Sequence, residues 1–206
     1  LNEVAGQGRP KTLTSFSASS VLASGNWYKI GVTLDGVYKM DYNFLKSLGV
    51  DVAQVNPAYI RVYGNGGGKL PYANSAPRRD DLAENAIYVA GESDGQFNTD
   101  DYVLFYGQSQ LRWRYDAATG VFHHEDNYYA DTTYYFINTD LGPGERITGQ
   151  PSTSLPATHF ANTFNDYSLH EVDLTNCVKS GKEWYGESFD PVNNTRDFAF
   201  SFPNIA

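Results

Sequence analysis

The chain has 206 residues, a formal charge of −9, 41% hydrophobic and 19% charged residues, and one cysteine, Cys177. That length buries one sizeable core, or one domain and part of another. The negative balance carries no offsetting Lys/Arg stripe, no stretch approaches the ~18 apolar residues of a spanning helix, and a lone cysteine closes no internal disulfide; nucleic-acid binding, a transmembrane helix and a disulfide scaffold are set aside.

The 16 Tyr, 12 Phe and 3 Trp tilt the chain towards β structure, where such side chains pack on a pleated surface. Residues 1–20, rich in Gly, Ser and Thr, read as an extended lead-in. WYKIGVT (27–33) and GVYKM (36–40) flank Asp35-Gly36, which predicts a hairpin. Asp41 is placed to cap a short helix over YNFLKSL, with Phe44, Leu45 and Leu48 on one side and Gly49 to end it.

A strand over 59–63 is stopped by the run of glycines at 64–68, and 71–84 reads as a polar loop broken by Pro71 and Pro77. Within that loop Arg78-Arg79 is a protease-prone pair. AIYVAG and YVLFYG predict strands either side of GESDGQFNTDD. LRWRYD and VFHHED predict a hairpin about 117–120, and TTYYFINT the next strand. Pro151 to Pro156 makes the best internal boundary, after which DYSLHEVDL, WYGESF and FAFSF read as strands around a Gly-centred turn.

The expected fold is mainly β, an antiparallel β-sandwich with one short helix. The expected organisation is a lead-in over 1–20, a β domain over 21–150, and over 157–206 its continuation and the truncated start of a second β module. The opening LNEVAGQGRP lacks an initiator Met or an apolar signal region, so a fragment of a longer protein is expected.

The stretch 91–107 poses the sharpest chemical question. With Gly95 at the sharp turn of a calcium loop, Glu92, Asp94, the Gln96 carbonyl, Asn98 and Asp101 fall at ligand positions. Ala90 stands where the first ligand belongs, however. The alternative needs no ion: Asp94-Gly95 makes a turn and Asp100-Asp101 caps the next strand through backbone hydrogen bonds. The turn is the preferred reading, and otherwise no cofactor is expected.

Other constellations read as structural. Cys177 lies seven residues from His170 and further from His159, without the signature of a Cys/His nucleophile, and is expected to be a partly buried thiol. His123 and His124 point to opposite faces of a strand, and His124 with Asp126 supplies two ligands where zinc needs more. The glycines at 64–68 lead to Lys69-Leu70-Pro71 rather than the Lys-Ser/Thr and helix of a phosphate loop. They predict a turn with several φ > 0 positions where the chain leaves one strand and crosses over, and such a turn also leaves room for packing against a neighbouring domain. Trp27, Trp113, Trp184, Tyr128-Tyr129 and Tyr134-Tyr135 are the aromatic platforms, with paired tyrosines expected to split between two faces. Those left exposed would mark a protein or glycan interface.

Taken in order, SVLASGNWYKIGVTLDGVYKMDYNFLKSLG, IRVYGNGGGKLP, LAENAIYVAGESDGQFNTDDYVLFYGQ, YYADTTYYFINTD and SGKEWYGESFD resemble the N-terminal region of the PorU family. These are gingipain-like cysteine peptidases that serve as the sortase of type IX secretion in Bacteroidota. The resemblance spans residues 20–206 and implies a secreted protein at the outer face of the outer membrane. It implies a Cys/His peptidase domain beyond residue 206 that removes C-terminal sorting signals from cargo, and none of that catalytic motif falls on this sequence. This region would be propeptide-like and non-catalytic, partnered by the downstream peptidase domain and by outer-membrane secretion components.

Overall fold

The computed structural model describes residues 16–160, 167–179 and 183–202. The expected lead-in over 1–20 lies mostly outside them, as does the Gly-centred turn at 180–182. Among the described residues, nine strands and one α-helix form a mainly β fold with three antiparallel sheets.

Two of these sheets face each other. One has the order β1 (Trp27–Val32), β9 (Thr133–Asn138), β3 (Arg61–Tyr63), β4 (Glu84–Asn85). The other has the order β2 (Gly36–Asp41), β6 (Tyr102–Gly107), β5 (Tyr88–Ala90). Side chains alternate along a strand, so every second residue meets the opposite sheet. Ile30, Val32, Val62, Tyr135 and Ile137 from the first sheet enclose one core with Met40, Val89, Val103 and Phe105 from the second. The rings of Phe105 and Tyr135, 5.3 Å apart, join the two layers, and the Tyr135 hydroxyl accepts from Gln108 N–H at 2.8 Å.

The Asp35-Gly36 hairpin does not form. β1 runs antiparallel to β9 from Trp27↔Asn138 to Val32↔Thr133, whereas β2 runs antiparallel to β6 from Gly36↔Gly107 to Asp41↔Tyr102. A tight two-residue hairpin of the Asp-Gly kind needs φ > 0 at both positions, and neither Asp35 nor Gly36 adopts it. The Asp35 carboxylate instead accepts from Ser109 N–H (2.6 Å), and Tyr38 Oη donates to the Leu34 carbonyl (2.7 Å). The chain thus turns a corner from one layer to the other, and the apolar faces of β1 and β2 oppose each other across the core.

The short helix α1 (Tyr42–Ser47) forms where expected. The Asp41 carboxylate accepts from Phe44 N–H at 2.9 Å, and Gly49 leaves the helix at φ 89°. Leu45 is fully buried and Leu48 packs against the core, but Phe44 is 38% exposed. A six-residue helix shows one stripe to the sandwich, and Phe44 lies off it.

The hairpin β7 (Arg112–Asp116) and β8 (Val121–Glu125) forms as expected, closed at Gly120 with φ 69°. The Asp116 carboxylate caps its turn, accepting from Ala118 N–H and Thr119 Oγ1, both at 3.0 Å. The strands expected over DYSLHEVDL, WYGESF and FAFSF do not appear among the described residues. The pair Thr175↔Tyr185 makes an isolated antiparallel bridge there. These segments carry aromatic and apolar residues suited to a strand, but beyond that bridge they pair with no neighbouring strand among the described residues, and a strand is defined by its partner.

Candidate functional site

The loop between β5 and β6 turns twice at glycines, Gly91 with φ 87° and Gly95 with φ 75°, around a single 3-10 turn, Glu92–Asp94. A Cβ on Gly91 would stand 1.7 Å from Asp101 Oδ1, so the position requires glycine for space as well as for backbone.

The five residues considered for calcium form a site already bonded from within. Glu92 Oε2 takes Arg146 Nε at 2.8 Å. Asp94 Oδ1 accepts from Gln96 N–H, and Asp94 Oδ2 from the Asn98 side-chain amide, both at 3.0 Å. Asp101, nearly buried, accepts from Asn98 N–H at 2.6 Å and returns its own N–H to the Asn98 carbonyl. Among the described residues no three His, Cys, Asp or Glu side chains converge to hold a metal ion. The local bonding is that of a turn locked by its own side chains, with Phe97 buried beneath it.

Arg146 is the residue that sequence reasoning missed here. Besides Glu92 it donates to the carbonyls of Pro57 (2.8 Å) and Ile60 (3.2 Å), tying three separate stretches together. A second such hub is Glu84, which takes Arg61 Nε at 3.0 Å, Tyr63 Oη at 3.2 Å and Glu145 N–H at 2.7 Å. Burial alone would push the Glu84 carboxyl up, but the Arg61 guanidinium and the other donors bring it below the usual glutamate range.

The glycine run at 64–68 serves packing. Gly66 and Gly68 have φ 71° and 91°, and a Cβ on Gly67 would stand 1.6 Å from the Ser109 carbonyl oxygen. Arg112 Nε donates to the Gly67 carbonyl at 2.8 Å, fastening the run to the base of the β7–β8 hairpin.

Cys177 is exposed, not partly buried as expected, because the turn that carries it stands off the sandwich core. His170 is turned to Glu187 (Nε2 to Oε1, 2.7 Å), with its ring against Phe198. His123 approaches Asp116 (3.9 Å) and His124 approaches Glu171 (3.3 Å), so neither joins Asp126 in a ligand set.

One cavity of about 590 Å³ opens where the end of β8 meets the segment after the proline break. Gln110 and Leu111 line it, with residues 126–131 along one side and Leu169, Glu171 and Asp173 along the other. Four carboxylates, Asp126, Asp131, Glu171 and Asp173, share this space with Tyr128 and Tyr129. Both tyrosines are exposed because 126–131 is a loop; the expected split between faces holds for Tyr134 (47% exposed) and Tyr135 (1%) on β9. Beneath the hairpin, Tyr167 lies 4.3 Å from Trp113 and 4.9 Å from Phe122, which brings the segment after the break onto β7 and β8. Acid groups and aromatic faces together suit a polyhydroxyl or cationic ligand.

No family model matches the sequence, and no curated protein matches it. A solved structure, that of dimeric latent PorU from Porphyromonas gingivalis, is similar to 64% of this chain at 28% sequence identity, with a TM-score of 0.48. The matched stretch is 11% of that protein's chain.

Proposed function

We propose that this chain is the non-catalytic N-terminal region of a secreted, cell-surface, gingipain-like sortase of type IX secretion. Its sandwich would pack against, and position, the peptidase domain that removes C-terminal sorting signals. The ordered run of segments resembling the PorU family supports this reading. The observation that carries it is the series of large apolar side chains on the far part of the chain. Trp184, Tyr185, Phe189, Phe198, Phe200 and Phe202 are between 39% and 59% exposed. Large aromatic side chains left exposed in this number suit a protein contact.

The test is deletion of residues 16–202 from the parent protein, followed by measurement of its folding, surface location and cargo processing. Loss of processing with an intact catalytic Cys/His pair is expected. Full processing by the truncated parent would overturn the scaffold role.

The acid- and tyrosine-lined cavity favours a second reading, a cell-surface adhesion or carbohydrate-binding module stabilised by calcium. Two measurements separate it from the first. Calcium addition and chelation are expected to leave the melting temperature unchanged, because Glu92, Asp94 and Asp101 are already engaged by Arg146 and by N–H groups. A calcium-dependent rise, together with glycan binding that Tyr129→Ala abolishes, would support the module instead.

A further inference from the structure

The loop joining β3 to β4 carries Pro77-Arg78-Arg79-Asp80 at its far end. Every residue from 71 to 80 except Ala76 is exposed, and 77–79 have no regular structure. The backbone bond within this stretch is a single turn, Ala76 N–H to the Ala73 carbonyl at 3.0 Å. A protease draws its substrate into an extended form, so such a segment needs nothing from the core to be bound and cut.

The flanks, by contrast, are fastened. On the near side Gly64 N–H reaches the Ala83 carbonyl (2.9 Å), and the Asn65 side chain bonds both the Asp81 carbonyl and Ala83 N–H at 3.0 Å. On the far side the Asp81 carboxylate accepts from Val21 N–H, Ser20 Oγ and Leu82 N–H, at 2.5, 2.9 and 2.8 Å. These donors hold its carboxyl below the usual aspartate range, Val21 N–H first among them. The loop is therefore a tethered bow whose ends stay together whether or not its middle is continuous.

Topology decides what a break there would do. The part before it contributes β1, β2, α1 and β3, and the part after it contributes β4 to β9. In the first sheet the order β1-β9-β3-β4 alternates strictly between the two parts. In the second, β2 lies against β6 along its whole length. The core is shared in the same way: Ile30, Val32, Leu45, Ile60 and Val62 come from one part, and Ile87, Val103, Phe105, Tyr135 and Ile137 from the other. Neither part can leave without exposing that core.

We infer that Arg78-Arg79 is a processing site at which an Arg-directed endopeptidase converts the chain into two pieces held together without a covalent link. Water adds across the Arg78–Arg79 amide: the C–N bond breaks, Arg78 gains a carboxylate and Arg79 an ammonium. This bond is cut ahead of Arg79–Asp80. An Arg-directed protease carries its own carboxylate for the arginine side chain, and an acidic residue immediately after the cut is repelled by it. Asp80 is in addition held, since its carboxylate accepts from Ser17 N–H.

The experiment follows the full chain. Brief digestion with trypsin is expected to produce one first cut, at Arg78–Arg79, by intact mass. The two pieces should co-elute at the size of the uncut protein and separate only in denaturant. The variant R78K/R79K, which keeps both charges, should resist a strictly Arg-specific protease while remaining open to trypsin. Protein recovered from its native cells should begin, in part, at Arg79. A first cut elsewhere, at the exposed Lys179 or Arg196 for instance, would overturn the proposal. So would pieces that elute separately in buffer, or native protein intact across this bond.

Discussion

Compare YVLFYG at 102–107 with FAFSF at 198–202. The first is a continuous run of large apolar residues and the second alternates Phe with small residues, and either reads as a strand in isolation. The first becomes β6, flanked by β2 along its whole length and by β5 from Tyr88↔Leu104 to Ala90↔Tyr102. Its Val103 and Phe105 are buried. The second has no ladder, and Phe198, Phe200 and Phe202 stay 39–47% exposed. Among the described residues, the buried hydrophobic core lies between Ile30 and Ile137, whereas the aromatics described after Pro151 are exposed. Alternation states which face would be buried; it does not supply the neighbour that buries it.

The contrast is broken most severely from the sandwich side. Phe105→Ala removes the ring that joins the two sheets, stacking on Tyr38 and meeting Tyr135. A loss of about 3–5 kcal/mol is expected in chemical denaturation, from lost burial and the cavity left behind. A loss below about 1 kcal/mol would mean that the sheets do not depend on this contact.

Glu84→Gln comes next. It leaves the Arg61 guanidinium without its charged partner on the β3–β4 ladder, at a cost of about 1–3 kcal/mol at neutral pH. The pH dependence has a definite sign. The folded state keeps Glu84 ionised to lower pH than an unfolded chain does, so the unfolded state binds more protons in that window. The carboxylate's contribution is present in full above the ordinary glutamate range, near ~4.3, and is lost as the pH falls through the lowered folded value. The denaturation curves of the wild type and of the Glu84→Gln variant should therefore converge on acidification. A gap that stays constant from neutral pH down through the carboxylate range would show that the charge of Glu84 is not what holds the ladder.

What was legible in the sequence was local. Asp41 caps a helix three residues away, Gly120 closes its own hairpin, and Tyr134 and Tyr135 part company because adjacent residues on a strand must. What was not legible depends on partners far along the chain. Asp35-Gly36 carries a good turn signal, yet β1 pairs with β9 and β2 with β6 along their whole lengths, and Ser109 claims the Asp35 carboxylate. Arg146 reaches Glu92, Pro57 and Ile60 across 54, 89 and 86 positions, and no spacing rule announces such a hub. The cavity is equally remote from pattern, since it needs 126–131 and 169–173 side by side. The acidic loop at 91–101 falls between: its residue types are those of an ion site, and the geometry that turns them onto Arg146 and onto their own backbone is visible only in three dimensions.

The smallest expected effect sharpens the comparison from the other side. Phe200→Ser removes an aromatic ring from a segment with no ladder, where 47% of the residue already meets solvent. Its stability effect on this chain should stay within about 0.5 kcal/mol, as for surface substitutions generally, although loss of the ring at Phe105 is severe. If the exposed aromatics form a docking face, the variant should instead weaken association with the proposed peptidase domain while the sandwich melts as before. A large drop in the melting temperature of the isolated chain would show that 198–202 is already part of its core. The two apolar segments would then differ in degree of burial rather than in kind.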